Sequence, residues 1–124
     1  NTKLPISPHL QIYKPQITSI LSITHRITGF FLSFTLPLLL LWLFCIFLGS
    51  SVYSSFITFF SYTPLKLILI PITYAFSYHM LNGIRHLIWD CGYGFSLRFS
   101  SISGVLIVTL SILITIVINL IIIF

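Results

Sequence analysis

Acidic residues are nearly missing from this sequence: Asp90 is the single carboxylate side chain among 124 residues, against six lysines and arginines. Charged residues of all kinds make up 6%, where soluble domains carry about 25%. A surface that meets water on every side is excluded. The net charge of +5 does not point to nucleic acid, because the cations stand singly at the edges of apolar runs instead of forming a patch. No nucleic-acid partner is expected. Cysteine is scarce too. Cys45 and Cys91 fall near opposite ends of the apolar runs, too far apart for a disulfide, and neither has the spacing partners of zinc or iron–sulfur ligation. Alanine occurs once, at Ala75, while isoleucine occurs 22 times. That skew exceeds membrane preference and points to an AT-rich gene, as organelle genomes often are. Residues 1–19 hold three prolines and two lysines without a long apolar core, so no secretory signal is expected there. The arginine-rich character of an import sequence is missing as well.

Hydrophobic residues are what the chain has, at 57%. Three apolar runs, 27–48, 65–89 and 102–124, each exceed the roughly 20 residues that cross a bilayer. Pro37 and Pro71 lie inside the first two, and lipid-embedded helices tolerate such prolines. The expected fold is all-α, an integral membrane bundle of three transmembrane helices in a single domain, 1–124. Its parts are an N-terminal segment (1–19) and helices at 20–49, 64–90 and 101–124. Residues 49–64 read as a Ser- and Tyr-rich connection closing on Thr63-Pro64, a helix start. No internal repeat is evident.

Cations set the orientation. Lys3, Lys14 and Arg26 precede or open the first span, Arg85 and Arg98 flank the loop between the second and third, and only Lys66 lies on the other side. The positive-inside rule puts the N-terminus on the inner side, matrix or cytoplasm. The head of helix one and the tail of helix two then share a leaflet.

His79 is the residue that singles itself out. It stands 11 residues before Asp90, roughly 16 Å below that interface, and ionisable groups at such depth are costly and usually functional. Its alternative role is packing against a neighbouring helix. His79, Gly83, His86 and Asp90 recur at i, i+4, i+7 and i+11, one stripe of helix two. A glycine one turn from a ligating histidine leaves room for a flat macrocycle, and Arg85 and His86 fall where propionates would emerge. Plain interfacial anchoring is the alternative for those two. Helix one carries a matching stripe, Ser22, Arg26, Gly29 and Ser33, with His25 beside it. A hydroxyl, a guanidinium and an imidazole near one apolar cleft suit a quinone carbonyl and the negative charge that grows on its reduction. For Arg26 alone, snorkelling at a helix end is the alternative. Ser111, Thr115 and Asn119 form a third stripe, on helix three, read as packing contacts.

Ser7-Pro8-His9-Leu10, Ser22-Ile23-Thr24-His25-Arg26-Ile27-Thr28-Gly29, and His79 through Gly83-Ile84-Arg85-His86 to Asp90 together resemble one family. It is the cytochrome b large membrane-anchor subunit of succinate dehydrogenase, respiratory complex II, and the mitochondrial members look most similar. The resemblance covers essentially the whole chain. One departure stands at Leu4, where the family usually has Arg before the proline that is here Pro5.

Carried over residue by residue, the resemblance implies His79 as the axial ligand of haem iron and Ser22 and Arg26 as quinone-binding residues. His25, Arg26 and His86 would lie near the haem and its propionates, and Asp90 would deliver protons. It implies one haem b shared with a partner anchor subunit, and ubiquinone as the substrate reduced. Implied partners are a flavoprotein subunit, an iron–sulfur subunit and a second small membrane-anchor subunit whose helices complete the bundle, all at the lipid bilayer of the mitochondrial inner membrane. The chain would be multi-pass with its N-terminus on the matrix side. Lacking flavin and iron–sulfur motifs, it would not oxidise succinate itself. The second axial histidine is expected on the partner. His9 lies outside the spans, His25 and His86 lie near the inner interface, and His86 is roughly 10 Å shallower than His79. Two alternatives remain open on sequence: a small pore or transporter subunit, which would bury more charge at the midplane, and a cytochrome b of another respiratory complex.

Overall fold

The structure, a computed structural model, describes residues 15–123. The Ser7-Pro8-His9-Leu10 stretch and the departure at Leu4 lie outside the described residues. Among the described residues four helices follow one another: α1 (Ile17–Phe47), α2 (Ser50–Phe60), α3 (Thr63–Asp90) and α4 (Leu97–Ile123). Three of them, α1, α3 and α4, are long and apolar enough to cross a membrane. The 31 residues of α1 extend about 46 Å, against a hydrocarbon core of roughly 30 Å. The chain is thus an all-α membrane bundle.

Two local features differ from the sequence reading. The connection at 49–64 is itself largely helical. At 100° per residue, Val52, Tyr53, Phe56, Ile57, Phe59 and Phe60 of α2 fall on one side, with Ser51, Ser54, Ser55, Thr58 and Ser61 on the other. The hydroxyls turn back on the helix itself: Ser54 Oγ donates to the Ser51 carbonyl (2.9 Å) and Thr58 Oγ1 to that of Ser54 (2.8 Å). Serine's weak helix propensity hides this amphipathic pattern. The second difference is the start of α4, four residues before position 101. Ser96 Oγ accepts a hydrogen bond from the Phe99 amide (3.2 Å), satisfying one of the free amides of the first turn. Between α3 and α4 the chain reverses through Gly92, whose φ of 88° places it in the left-handed region that side chains disfavour.

α3 is the centre of the bundle, packed most extensively on α4 and then on α1. The contacts are polar to an unusual degree. Lipid already solvates apolar side chains, so helices in a membrane associate through close packing and interhelix hydrogen bonds. Tyr78, fully buried, donates from Oη to the Leu21 carbonyl (2.9 Å). Ser111, Thr115 and Asn119 of α4 are all buried, and Asn119 Nδ2 donates to Thr73 Oγ1 (2.7 Å) on α3. Of the three spans α1 is the least covered, with Leu21, Thr28 and Cys45 its buried residues. Its phenylalanines at 30, 31 and 34 are exposed.

Candidate functional site

The first turns of α1, the last turns of α3 and the start of α4 meet at one end of the bundle. On α3, the stripe holding His79, Gly83 and His86 faces His25 of α1. The imidazoles of His25 and His79 stack with centroids 3.9 Å apart and planes 7° from parallel, and His86 stands 5.4 Å from His25.

His79 is held by one turn of α1. Its Nδ1 lies 3.1 Å from the carbonyl oxygen of His25 and 3.3 Å from Thr28 Oγ1. A carbonyl can only accept, so the proton resides on Nδ1, and Nε2 carries the lone pair. The Thr28 hydroxyl donates its own hydrogen to the same carbonyl (2.9 Å), which leaves its oxygen free to accept from Nδ1. Gly29 completes the seat, for a Cβ there would stand 2.8 Å from Cε1 of His79. On the other side, a Cβ at Gly83 would meet nothing nearer than Cε1 of His25 at 4.0 Å, so the space beside α3 is open. Nδ1 of His25 is buried and has no hydrogen-bond partner among the described residues, although buried polar groups are nearly always paired. Toward the opposite end, a crevice of about 440 Å³ runs between α1 and α3, lined by Thr28, Phe31, Thr35, Ile72, Tyr74 and Ala75 among others.

Ser22 and Arg26 do not share this contact. Both line a shallow groove with Thr18, Ser19 and Ile23, all residues of α1, so among the described residues one helix supplies its wall. Arg26 is exposed and Ser22 half-buried. Asp90, the last residue of α3, is exposed.

Arg85 departs from the sequence expectation of a propionate-facing or interfacial cation. It is 4% exposed and points into α4. Nε donates to Ser103 Oγ (3.1 Å), while one terminal nitrogen donates to the Ser100 carbonyl (2.7 Å) and to Ser100 Oγ (2.9 Å). The guanidinium lies over the Trp89 ring, 4.1 Å from its centroid, a cation–π contact. It ties α3 to α4 and leaves the α1 side to its neighbour His86.

Sequence reasoning passed over three residues here: Thr28, Tyr78 and the fully buried Asn82. Thr28 stood three positions after His25, hence on the same helix face, a usable signal. Nothing in the sequence alone distinguishes Tyr78 or Asn82 from the other polar residues of the span.

Residues 1–118 match the family described as succinate dehydrogenase/fumarate reductase transmembrane subunit. The chain is 47% identical over 113 residues to the succinate dehydrogenase cytochrome b556 subunit of Rickettsia typhi, covering 91% of this chain and 88% of the relative. It is 41% identical over 109 residues to the cytochrome b560 subunit of Marchantia polymorpha, with 82% and 78% covered. To the cytochrome b560 subunit of Reclinomonas americana it is 40% identical over 123 residues, with 94% and 85% covered. With three membrane-spanning helices and a match along nearly its whole length, the chain belongs to the succinate dehydrogenase/fumarate reductase transmembrane subunit family.

Proposed function

We propose that this chain is the cytochrome b anchor of a succinate:ubiquinone oxidoreductase in the mitochondrial inner membrane. It would hold one b-type haem jointly with a second small anchor subunit and form part of the ubiquinone-reduction site. Flavoprotein and iron–sulfur subunits would oxidise succinate and pass electrons to it. The observation that carries this reading is the hydrogen bond between His79 Nδ1 and the His25 carbonyl. Ligating histidines almost always donate their second ring N–H in this way, which fixes the tautomer and leaves the other nitrogen for the metal.

The surrounding residues fit a haem. His79 would hold the iron through Nε2, Gly83 leaves open space on the same stripe, and the unpaired Nδ1 of His25 gives a buried polar atom for the group to meet. His86, 5.4 Å from His25, and Arg26 of α1 would contact the haem's acidic substituents. When bound, haem supplies a one-electron redox centre. Ser22 and Arg26 would donate hydrogen bonds to a quinone carbonyl, the guanidinium stabilising the charge that grows on the oxygen. Among the described residues their groove is walled by α1 alone, which is consistent with a site completed by other subunits. Asp90, an exposed carboxylate at the end of α3, would pass protons to it. The two b560 relatives and the isoleucine-rich composition support the location; the distribution of cations supports an N-terminus in the matrix.

Replacing His79 with leucine in the assembled complex tests the reading. The b-type absorption spectrum should be lost or strongly shifted while the helix still inserts; an unchanged spectrum would show that another residue holds the iron.

A further inference from the structure

The turn of α1 from His25 to Gly29 does more than pack against α3. We propose that Thr28 is a positioning residue for the haem ligand, an inference that rests on His79 Nε2 holding the iron. Three contacts converge on that imidazole from one helical turn. The His25 carbonyl stands 3.1 Å from Nδ1, Thr28 Oγ1 stands 3.3 Å from the same atom, and the bare α-carbon of Gly29 lies against the ring edge.

The hydroxyl is committed in direction. Its hydrogen goes to the His25 carbonyl at 2.9 Å, so toward His79 it can act only as an acceptor. Nδ1–H therefore donates to two oxygens, and each, by accepting, draws the proton away from Nδ1 and adds basicity at Nε2. Thr28 is buried at 6% exposure, so no water competes for the contact. Two acceptors on either side of one N–H also fix the rotation of the ring about its Cβ–Cγ bond, which a single acceptor leaves freer. Gly29 allows the ring to come close enough for both bonds. Thr28 and Gly29 are therefore one device: the first orients the ring and tunes its donor strength, the second makes room for it.

The test uses the assembled membrane complex and reads the bound haem, not turnover. The position of the low-spin ferric EPR signal depends on the orientation of the ligand planes, and the midpoint potential on ligand basicity. Thr28→Val keeps the shape and removes the acceptor. It should move the EPR signal, raise the midpoint potential, or lower haem content on the order of ten- to a hundredfold in affinity, and Thr28→Ser should restore the wild-type behaviour. A wild-type signal, midpoint and haem content in Thr28→Val would overturn the proposal, as would a Thr28→Ser variant altered as far as the valine. Should the valine variant not assemble, Thr28→Ala asks the same question, since it removes the same acceptor without a second methyl; an unmoved EPR signal there overturns the proposal too. Haem retained in His79→Leu would instead remove the reading beneath it. Haem lost in that variant with Thr28→Val unaltered would sink the positioning role alone.

Discussion

Arg85 and His86 are neighbours in sequence and point about 100° apart around α3. That rotation separates their tasks: Arg85 bonds to Ser100 and Ser103 on α4, while His86 faces His25 on α1. Arg85→Met removes three short hydrogen bonds from a charged donor, each worth about 1.5–3 kcal/mol. Release of a buried charge offsets much of that loss, so a net destabilisation of about 2 kcal/mol is expected, read as a lower thermal midpoint of the solubilised complex. The haem spectrum should stay as it was, since the guanidinium turns away from His79. A spectral change without a stability change would return Arg85 to the haem side. The same scale holds the quinone residues. Ser22→Ala or Arg26→Leu should slow ubiquinone reduction and spare succinate oxidation by a soluble acceptor; equal loss of both activities would point to failed assembly and remove the assignment.

Among the elements, α2 is the one whose surroundings follow from its own two faces. Phe59 is 60% exposed and uncharged neighbours flank it, a surface that water would not leave uncovered. An uncharged helix with an apolar side continuous with the long spans suits the membrane interface, where its hydroxyls face water and its phenylalanines the acyl chains. In membranes, on a background free of Cys45 and Cys91, Ser54→Cys should react with a water-soluble maleimide and Phe59→Cys should be protected. Equal reactivity would place α2 in water. Protection of both would mean that protein covers it.

For the whole molecule, the sparse burial of α1 and a groove at Ser22 and Arg26 that, among the described residues, only α1 walls support the proposal that other subunits cover this surface. Among the described residues His25 lies level with His79, but the two rings are stacked, centroids 3.9 Å apart and planes 7° from parallel, so their nitrogens do not face each other across an iron and a bis-histidine haem would take its second ligand from elsewhere. Haem bound only by the assembled pair would stabilise the pair, by about 2.7 kcal/mol when free haem stands at a hundred times its Kd. The chain expressed alone should therefore bind haem weakly or not at all. A stable low-spin bis-histidine spectrum from the isolated monomer would refute the shared-haem reading.

What the sequence determined by itself is the class and the family. A membrane span is a one-dimensional property: about 20 residues of sufficient hydropathy must leave water wherever they sit in the chain, so the three runs are legible without coordinates. The motifs at Ser22–Gly29 and His79–Asp90 are equally local, and they carried the resemblance that the family match establishes. Azimuth is what only the tertiary structure decided. Which face of α3 meets α1 and which meets α4 depends on how polar groups on three helices pair simultaneously, and apolar runs without an amphipathic pattern do not encode it. Hence Arg85, read as a cation at the membrane edge, proved to be a buried tie to α4, and Thr28, unnoticed as one hydroxyl among many, came to rest against the Nδ1 of His79.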